Sequence, residues 1–405
     1  MAVDLQPPEA LLPVAGVRLG TASAAIKKPG RQDVLVIALD EGAQVAGVFT
    51  QNAFAAAPVQ LCRERLAAAG AIRTLLVNSG NANAATGDGG LQDAIETTRA
   101  VAQSLGVDPA AVLPFSTGVI GVRLPVARMC AAVPDAIEHA QAEGWNGAAE
   151  AIMTTDTIAK GVSRQVQTAQ GVVTVTGIAK GVGMIYPNMA TLLAYVATDA
   201  AIAGDAMPGL VRSLADTSFN CVTVDSDTST NDSFVVCATG KVGTPLAPGE
   251  ADYQAVEAAM RDVCEQLAQA IARDGEGATR FVTLEVTAAS SRDEARQVAM
   301  AVANSPLVKT ALFAGDANWG RLVMAIGKSG VPGLDPARID VALDDVPLLV
   351  GGQPHPDYVE DKGAAVLARN AYTIRIALGR GTQSIRCWTC DFSYDYVKIN
   401  AEYRT

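Results

Sequence analysis

Histidine is nearly absent from this chain: His139 and His355 are the only two in 405 residues. His139 lies in a polar helical stretch (134–144) and His355 sits between Pro354 and Pro356, so both read as surface residues. A histidine-dependent triad or a histidine-rich zinc site would have to be built from these two, which disfavours both. Basic charge is short as well. Lys and Arg number 31 against 42 Asp and Glu, a formal net charge of −11, which opposes attraction to nucleic-acid phosphates and anionic membranes. No run of about twenty apolar residues escapes a charge, a proline or a glycine cluster, so no membrane span is expected despite a mean hydropathy of +0.22. A secretory signal needs a basic start before an apolar stretch, whereas Asp4, Pro7, Pro8 and Glu9 stand here; a cytoplasmic location is the expectation. The seven cysteines (Cys62, Cys130, Cys221, Cys237, Cys264, Cys387, Cys390) are odd in number and scattered, which is no disulfide framework. They read mostly as small buried apolar residues.

What is present is apolar and aliphatic: 49% hydrophobic, 18% charged and 5% aromatic residues exclude intrinsic disorder. The length suits two domains or one large elaborated domain. Val256, Met260, Val263, Leu267 and Ile271 recur every three or four residues and predict a helix ending before Asp274 and Gly275. Further helices are predicted over Leu91–Leu105 and Asp293–Asn304. Strands are predicted over 34–39, 74–77, 172–176, 192–197, 234–238, 281–286, 372–378 and 384–388, each rich in β-branched or aromatic residues and bounded by Gly, Asn or Asp. The mixed order, without regular βαβ spacing, reads as a layered α/β (α+β) sandwich. Residues 244–252 read as a loop, and a smaller C-terminal domain is expected to open near 288–293.

The segment with most chemical promise runs from Lys180 through Gly181, Val182, Gly183 and the turn Pro187-Asn188 to Met189, Ala190 and Thr191, directly before the apolar strand 192–197. From the residues alone, a glycine-rich connection into a core strand is the readier account. Thr191 becomes reactive if the Ala190–Thr191 bond is cut, because the new α-amine can then serve its own hydroxyl as general base. With a pKa of about 7.7–8.0, roughly a tenth to a fifth of such an amine is neutral at pH 7, so histidine is not required. Acyl transfer also needs oxyanion donors, and Ser116-Thr117-Gly118-Val119-Ile120-Gly121, after the apolar 112–115, offers backbone N–H groups and the Thr117 hydroxyl; a turn capping a strand explains the same residues. Residues 315–322 have P-loop glycine spacing, but Arg321 and Leu322 stand where Lys and Ser/Thr are required, so a nucleotide phosphate site is rejected. The acidic run 225–232 reads as a hydrogen-bonded turn more readily than as a cation loop, and Cys387 with Cys390 reads as strand core rather than a redox or zinc pair.

Taken together, NSGNANAATG (78–87), STGVIG (116–121), TTDTIAKG (154–161), AKGVGMIYPNMATLLAYVATDA (179–200), TSTND (228–232), RDGEGATR (273–280), SPLVKTALFAGDANWGR (305–321) and YVKINAEYRT (396–405) resemble, in order and over essentially the whole chain, the glutamate N-acetyltransferase (ornithine acetyltransferase) family of arginine biosynthesis. The resemblance implies an αββα sandwich related in plan to N-terminal nucleophile hydrolases but with its own topology, plus a smaller C-terminal α/β domain. It implies self-cleavage between Ala190 and Thr191 into an α chain of 1–190 and a β chain of 191–405 that stay together, typically as an α2β2 heterotetramer. It further implies an acetyl-enzyme on Thr191, oxyanion contacts from Thr117 and Gly118, and substrate contacts from Thr157, Lys180, Thr191, Glu276, Asn400 and Thr405.

The reaction so implied moves the acetyl group of N-acetyl-L-ornithine to L-glutamate by ping-pong chemistry. No cofactor or metal is expected; because the family includes enzymes that also accept acetyl-CoA, it is expected here as a second donor substrate, making the enzyme bifunctional. Two other readings stay open: an N-terminal nucleophile amidase or aminopeptidase, in which water resolves the acyl-enzyme, and a self-cleaved scaffold that binds without catalysis. Two positions depart from the family pattern: Ser226 stands where Gly is usual and Val182 where Ser is common.

Overall fold

A computed structural model gives the structure of the protein and describes residues 2–68, 70–186 and 192–402. The chain divides into two compact units, one of residues 7–220 and 228–267, the other of residues 1–6, 221–227 and 268–405.

The first unit is built on two sheets. One has the order Val17–Ala22, Val34–Leu39, Thr74–Asn81, Val112–Val119, antiparallel except for the last pair. The other runs Gln44–Phe49, Ser233–Leu246, Leu193–Ile202, Gly171–Lys180, Lys160–Thr168, with Leu193–Ile202 and Ser233–Leu246 parallel. Every residue of Val34–Leu39 and of Leu193–Ile202 is buried, which is why the first strand, and the second as far as Ala197, read as apolar runs rather than alternating ones. Their alternate side chains serve two cores. Leu35, Ile37, Leu75, Val77, Leu113 and Phe115 pack against Ile178, Leu193, Tyr195 and Val235 of the other sheet, with Phe115 edge-on to Tyr195 at 5.3 Å between ring centroids. Val34, Val36, Leu76 and Val112 face outward onto Val101, Met129, Val133 and Ala136, from the helices Gly87–Leu105 and Val126–Glu138. On the far side of the second sheet, Gly177 lies where an added Cβ would meet Val263 and Leu267 at 2.9 and 3.0 Å, so the stripe on helix Ala251–Arg273 lies close on that strand. Helix, sheet, sheet and helix follow one another, as the αββα expectation has it. Burial of each large side chain in such layers stabilises by about 1.5–3 kcal/mol.

The other unit carries a six-stranded sheet ordered Gln353–Pro354, Val346–Val350, Asp340–Leu343, Ala371–Ala377, Phe281–Ala289, Gln383–Cys390. Its helices Pro306–Ala314 and Trp319–Gly327 meet at Gly315, whose φ of +69° ends the first, and at Asn318, whose side chain caps the second. The P-loop-like glycines are thus a helix-to-helix turn. Residues 288–293 join strand Phe281–Ala289 to helix Arg292–Ala303 inside this unit. Cys387 and Cys390 are buried in their strand, and all seven cysteines are unpaired by disulfides. Among the described residues no helix is long and apolar enough to cross a membrane.

Candidate active site

Thr117 and Gly118 occupy the carboxyl end of strand Val112–Val119, beside the parallel strand Thr74–Asn81. Gly118 is opposite Gly80, and both have positive φ, +135° and +103°. A Cβ on Gly118 would lie 2.2 Å from the Gly80 carbonyl carbon and 2.5 Å from Asn81 N, so only glycine fits there. The polar residues around this strand end are held by one another. Ser116 donates its hydroxyl to Asn78 Oδ1 at 2.6 Å, and Asn78 donates to the Asn81 carbonyl at 2.9 Å. Asn231, just ahead of strand Ser233–Leu246, donates Nδ2 to the carbonyls of Ala82 and Ser116 at 2.6 and 2.9 Å. That pair of bonds ties the start of one sheet's strand to the ends of two strands in the other.

Lys180 closes strand Gly171–Lys180, in register with Leu193 at the start of Leu193–Ile202. Leu193 in turn is in register with Ser233, whose N–H donates to the Leu192 carbonyl at 2.9 Å. Lys180 is buried, and its Nζ lies 3.3 Å from Thr117 Oγ1. An ammonium only donates. Thr117 Oγ1 is therefore the acceptor in this contact, which leaves its own proton to be donated elsewhere and polarises that O–H. A hydroxyl so oriented beside a backbone N–H is the donor set an oxyanion needs.

Asp156 stands behind Lys180. Its Oδ1 accepts from Lys160 Nζ at 2.8 Å and from the Gly181 N–H at 2.9 Å, and its Oδ2 accepts from the Thr154 N–H at 3.0 Å. The side chains of Asp156 and Lys160 are fully buried. Burial alone would raise the Asp156 pKa, but the charges of Lys160 and Lys180 and these hydrogen bonds outweigh it and hold the carboxyl well below the usual carboxylate range. Thr157 follows Asp156 and is exposed.

In the other unit Glu276 is buried and accepts from Asn400 Nδ2 at 2.8 Å on its Oε2. The loop carrying Glu276 is pinned: Asp391 Oδ1 accepts from the N–H groups of Thr279 and Arg280 at 2.8 and 2.9 Å, and Ser393 donates to the Gly277 carbonyl at 2.6 Å. Gly277 has φ +70°, and a Cβ there would meet Tyr396 N at 2.4 Å. Ser226 adopts φ +69°, a backbone state glycine reaches without strain; Val182 is buried.

Of the residues singled out from sequence, the structure brings Thr117, Gly118 and Lys180 together in one unit and Glu276 and Asn400 together in the other. Ala190, Thr191 and Thr405 lie outside the described residues. Asp156, Lys160, Asn78 and Asn231 were given no role by the sequence reading, although all four sit inside quoted segments: Asn78 in 78–87, Asp156 and Lys160 in 154–161, and Asn231 in 228–232. The acidic run holds turn contacts, with Asp227 N–H on Asp225 Oδ1 at 3.3 Å and Asn231 N–H on Ser229 Oγ at 3.1 Å. Both histidines bond locally: His139 is exposed and pairs with Asp135 at 3.0 Å, and His355 Nδ1 accepts from the Asp357 N–H at 3.2 Å. Burial pushes the Cys237 and Cys390 thiols up to about 12 and about 11, which removes them as nucleophiles at neutral pH.

The model of the ArgJ family matches residues 18–405. The arginine biosynthesis bifunctional protein ArgJ of Pseudomonas syringae pv. tomato is 52% identical over 407 residues, with 100% of each chain covered. Among solved structures, the arginine biosynthesis bifunctional protein argJ from Bacillus halodurans is 40% identical, with 50% of this chain and 95% of that chain covered at a TM-score of 0.48. Ornithine acetyltransferase from Mycobacterium tuberculosis, complexed with ornithine, is 35% identical, with 45% of this chain and 97% of that chain covered at a TM-score of 0.39.

Proposed function

The chain belongs to the ArgJ family, and from that premise we propose that it moves the acetyl group of N-acetyl-L-ornithine to L-glutamate through an ester on Thr191. It is an acetyltransferase of arginine biosynthesis. Cleavage between Ala190 and Thr191 frees an α-amine, which takes the proton of the Thr191 hydroxyl as that oxygen attacks the acetyl carbonyl. The tetrahedral oxyanion accepts hydrogen bonds from Thr117 Oγ–H and Gly118 N–H. Collapse expels ornithine, protonated on its departing nitrogen by the α-ammonium. The amine of glutamate then attacks the ester by the same steps in reverse and leaves as N-acetylglutamate. Lys180 receives the α-carboxylate of each substrate in turn, and Glu276, held by Asn400, receives an ammonium; Thr157 and Thr405 supply further polar contacts. Acetyl-CoA serves as a second donor, and the α and β chains assemble as α2β2.

The single observation that supports this reading best is the contact of Lys180 Nζ with Thr117 Oγ1 at 3.3 Å. It supports reading Thr117 as an oriented hydroxyl donor with a cation beside it, at the end of the strand in which Lys180 is in register with Leu193. The test is to incubate the enzyme with N-acetylornithine alone and map acetyl groups by peptide mass spectrometry. An acetyl group on the peptide beginning at Thr191, discharged to N-acetylglutamate when glutamate is added, is the expected result. Acetate release independent of glutamate would favour the hydrolase reading, and no acyl group at all the binding scaffold.

A further inference from the structure

Three charged side chains converge at one strand end, yet the transfer chemistry uses only Lys180. Asp156 and Lys160 are fully buried and 2.8 Å apart. A buried ion pair gains little stability over apolar residues of like volume, so its presence at this place calls for another reason. The contacts supply one. The same carboxylate oxygen that accepts from Lys160 also accepts from the Gly181 N–H at 2.9 Å, and Gly181 is the residue at which the chain leaves the strand. Gly181 is buried, so once the chain has left the sheet its N–H needs a partner other than a neighbouring strand. Lys160 opens its own strand opposite Ala179, next to Lys180, and Thr154 N–H on Oδ2 at 3.0 Å fixes the carboxylate plane.

We propose that Asp156 is a positioning residue for acetyl transfer: by holding the Gly181 N–H and the Lys160 ammonium on one buried oxygen, it fixes the strand end from which Lys180 reaches Thr117. The inference rests on the acetyl-transfer reading for its kinetic consequence and on geometry alone for its structural one. Displacing a catalytic contact by about 1 Å costs on the order of a hundredfold in rate, and such a shift moves Thr117 and Lys180 apart without touching either.

Two variants and two readouts test it. Asp156→Ala removes the clamp; Asp156→Asn with Lys160→Met keeps an oxygen for the Gly181 N–H and leaves no unpaired Lys160 charge. Turnover with N-acetylornithine and glutamate is measured beside hydrogen–deuterium exchange of the peptide containing Gly181. Asp156→Ala is expected to lower kcat about ten- to hundredfold, raise both Michaelis constants together and speed exchange at Gly181. The paired variant is expected to restore slow exchange and to bring kcat within about tenfold of wild type. A folded Asp156→Ala protein with wild-type exchange and kcat overturns the proposal. Should Asp156→Ala fail to fold, the paired variant decides: slow exchange with kcat near wild type supports the clamp, and slow exchange with kcat still lost overturns it, as does fast exchange with kcat intact. If the wild type itself transfers no acetyl group, the functional reading fails, while exchange still reports whether Asp156 holds Gly181.

Discussion

Replacing Lys180 by Met removes one ammonium and keeps a linear side chain of similar length in a buried place. Two separate losses follow. Glutamate and N-acetylornithine both present an α-carboxylate, and a charge-assisted hydrogen bond to it is worth about 1.5–3 kcal/mol, or roughly ten- to hundredfold. Ping-pong chemistry puts both substrates in one site in turn, so both Michaelis constants rise by a similar factor. The second loss comes from the 3.3 Å contact with Thr117 Oγ1. Without a donor on that oxygen the hydroxyl proton is free to rotate, and the oxyanion loses part of a donor whose full removal costs on the order of 10²–10³ in kcat. Turnover therefore falls in Lys180→Met, but less than in Thr117→Ala. Since one effect acts through the other, the double variant Lys180→Met with Thr117→Ala should be no slower in kcat than Thr117→Ala alone, a coupling a double-mutant cycle reads directly. Steady-state kinetics with both substrates varied is the assay. Michaelis constants that move independently would refute the shared carboxylate site, and fully additive losses in kcat would refute the polarisation of Thr117.

The remaining expectations concern processing, the oxyanion donors, pH and the departure at Ser226. Thr191→Ala should run as one intact chain without transferase activity, whereas the wild type shows two pieces and a new N-terminus at Thr191; an intact, fully active wild type on a denaturing gel would contradict this. Gly118→Ala should cost far more than Thr117→Ala in soluble yield, because its Cβ would lie 2.2 Å from the Gly80 backbone. kcat/KM should rise with pH through about 7.7–8.0, where the α-amine loses its proton. Asp156 adds no acid limb at pH 4–5: a carboxylate held below its ordinary range contributes stability that is present above the unfolded value and lost only as pH falls through the lower folded one. A profile flat from pH 6 to 9 would remove the amine as base. Ser226→Gly should raise stability by about 0.5–1 kcal/mol in thermal or denaturant unfolding, relieving a φ of +69° that costs roughly 1–2 kcal/mol, less the backbone entropy glycine adds to the unfolded chain.

Core strands and helices were legible where apolar spacing ran without interruption, and the ends of strands were not. The strand predicted over 74–77 continues through Asn78, Ser79, Gly80 and Asn81, and the one predicted over 172–176 continues to Lys180. Polar residues stop a pattern read from hydrophobicity. Here they stay in the sheet because each finds a partner: Asn78 takes the Ser116 hydroxyl, and Ser79 donates to the Ala151 carbonyl at 2.7 Å. These extensions lie beside the candidate site, where local rules are expected to yield to function. Thr117, Gly118 and Lys180 stood out as candidates by the chemistry of their own short segments. The part Asn231 plays could not be read that way, since its partners lie 149 and 115 residues away in sequence. Asp156 and Lys160 were hidden for a different reason: their spacing of four resembles a surface pair on a helix, but Lys160 opens a strand and the pair is buried.

The sign of the whole chain also differs from the sign at this strand end, and the difference bears on what composition can exclude. A net charge of −11 acts mainly through exposed groups, whose fields fade over a Debye length of about 8 Å at physiological salt. Lys160 and Lys180 are buried within one residue of each other's register, with Asp156 between them. Lys180 Nζ stands 3.3 Å from Thr117 Oγ1 in a buried place where solvent screens least, and at contact distance the lower effective dielectric lets one ammonium outweigh distant carboxylates. The acidic composition thus argues against a long phosphate backbone, which needs an extended basic surface, and does not argue against a small carboxylate met at one point. The sequence balance limits partners by size and reach, and the charge beside Thr117 is a separate, local matter set by the groups buried around it.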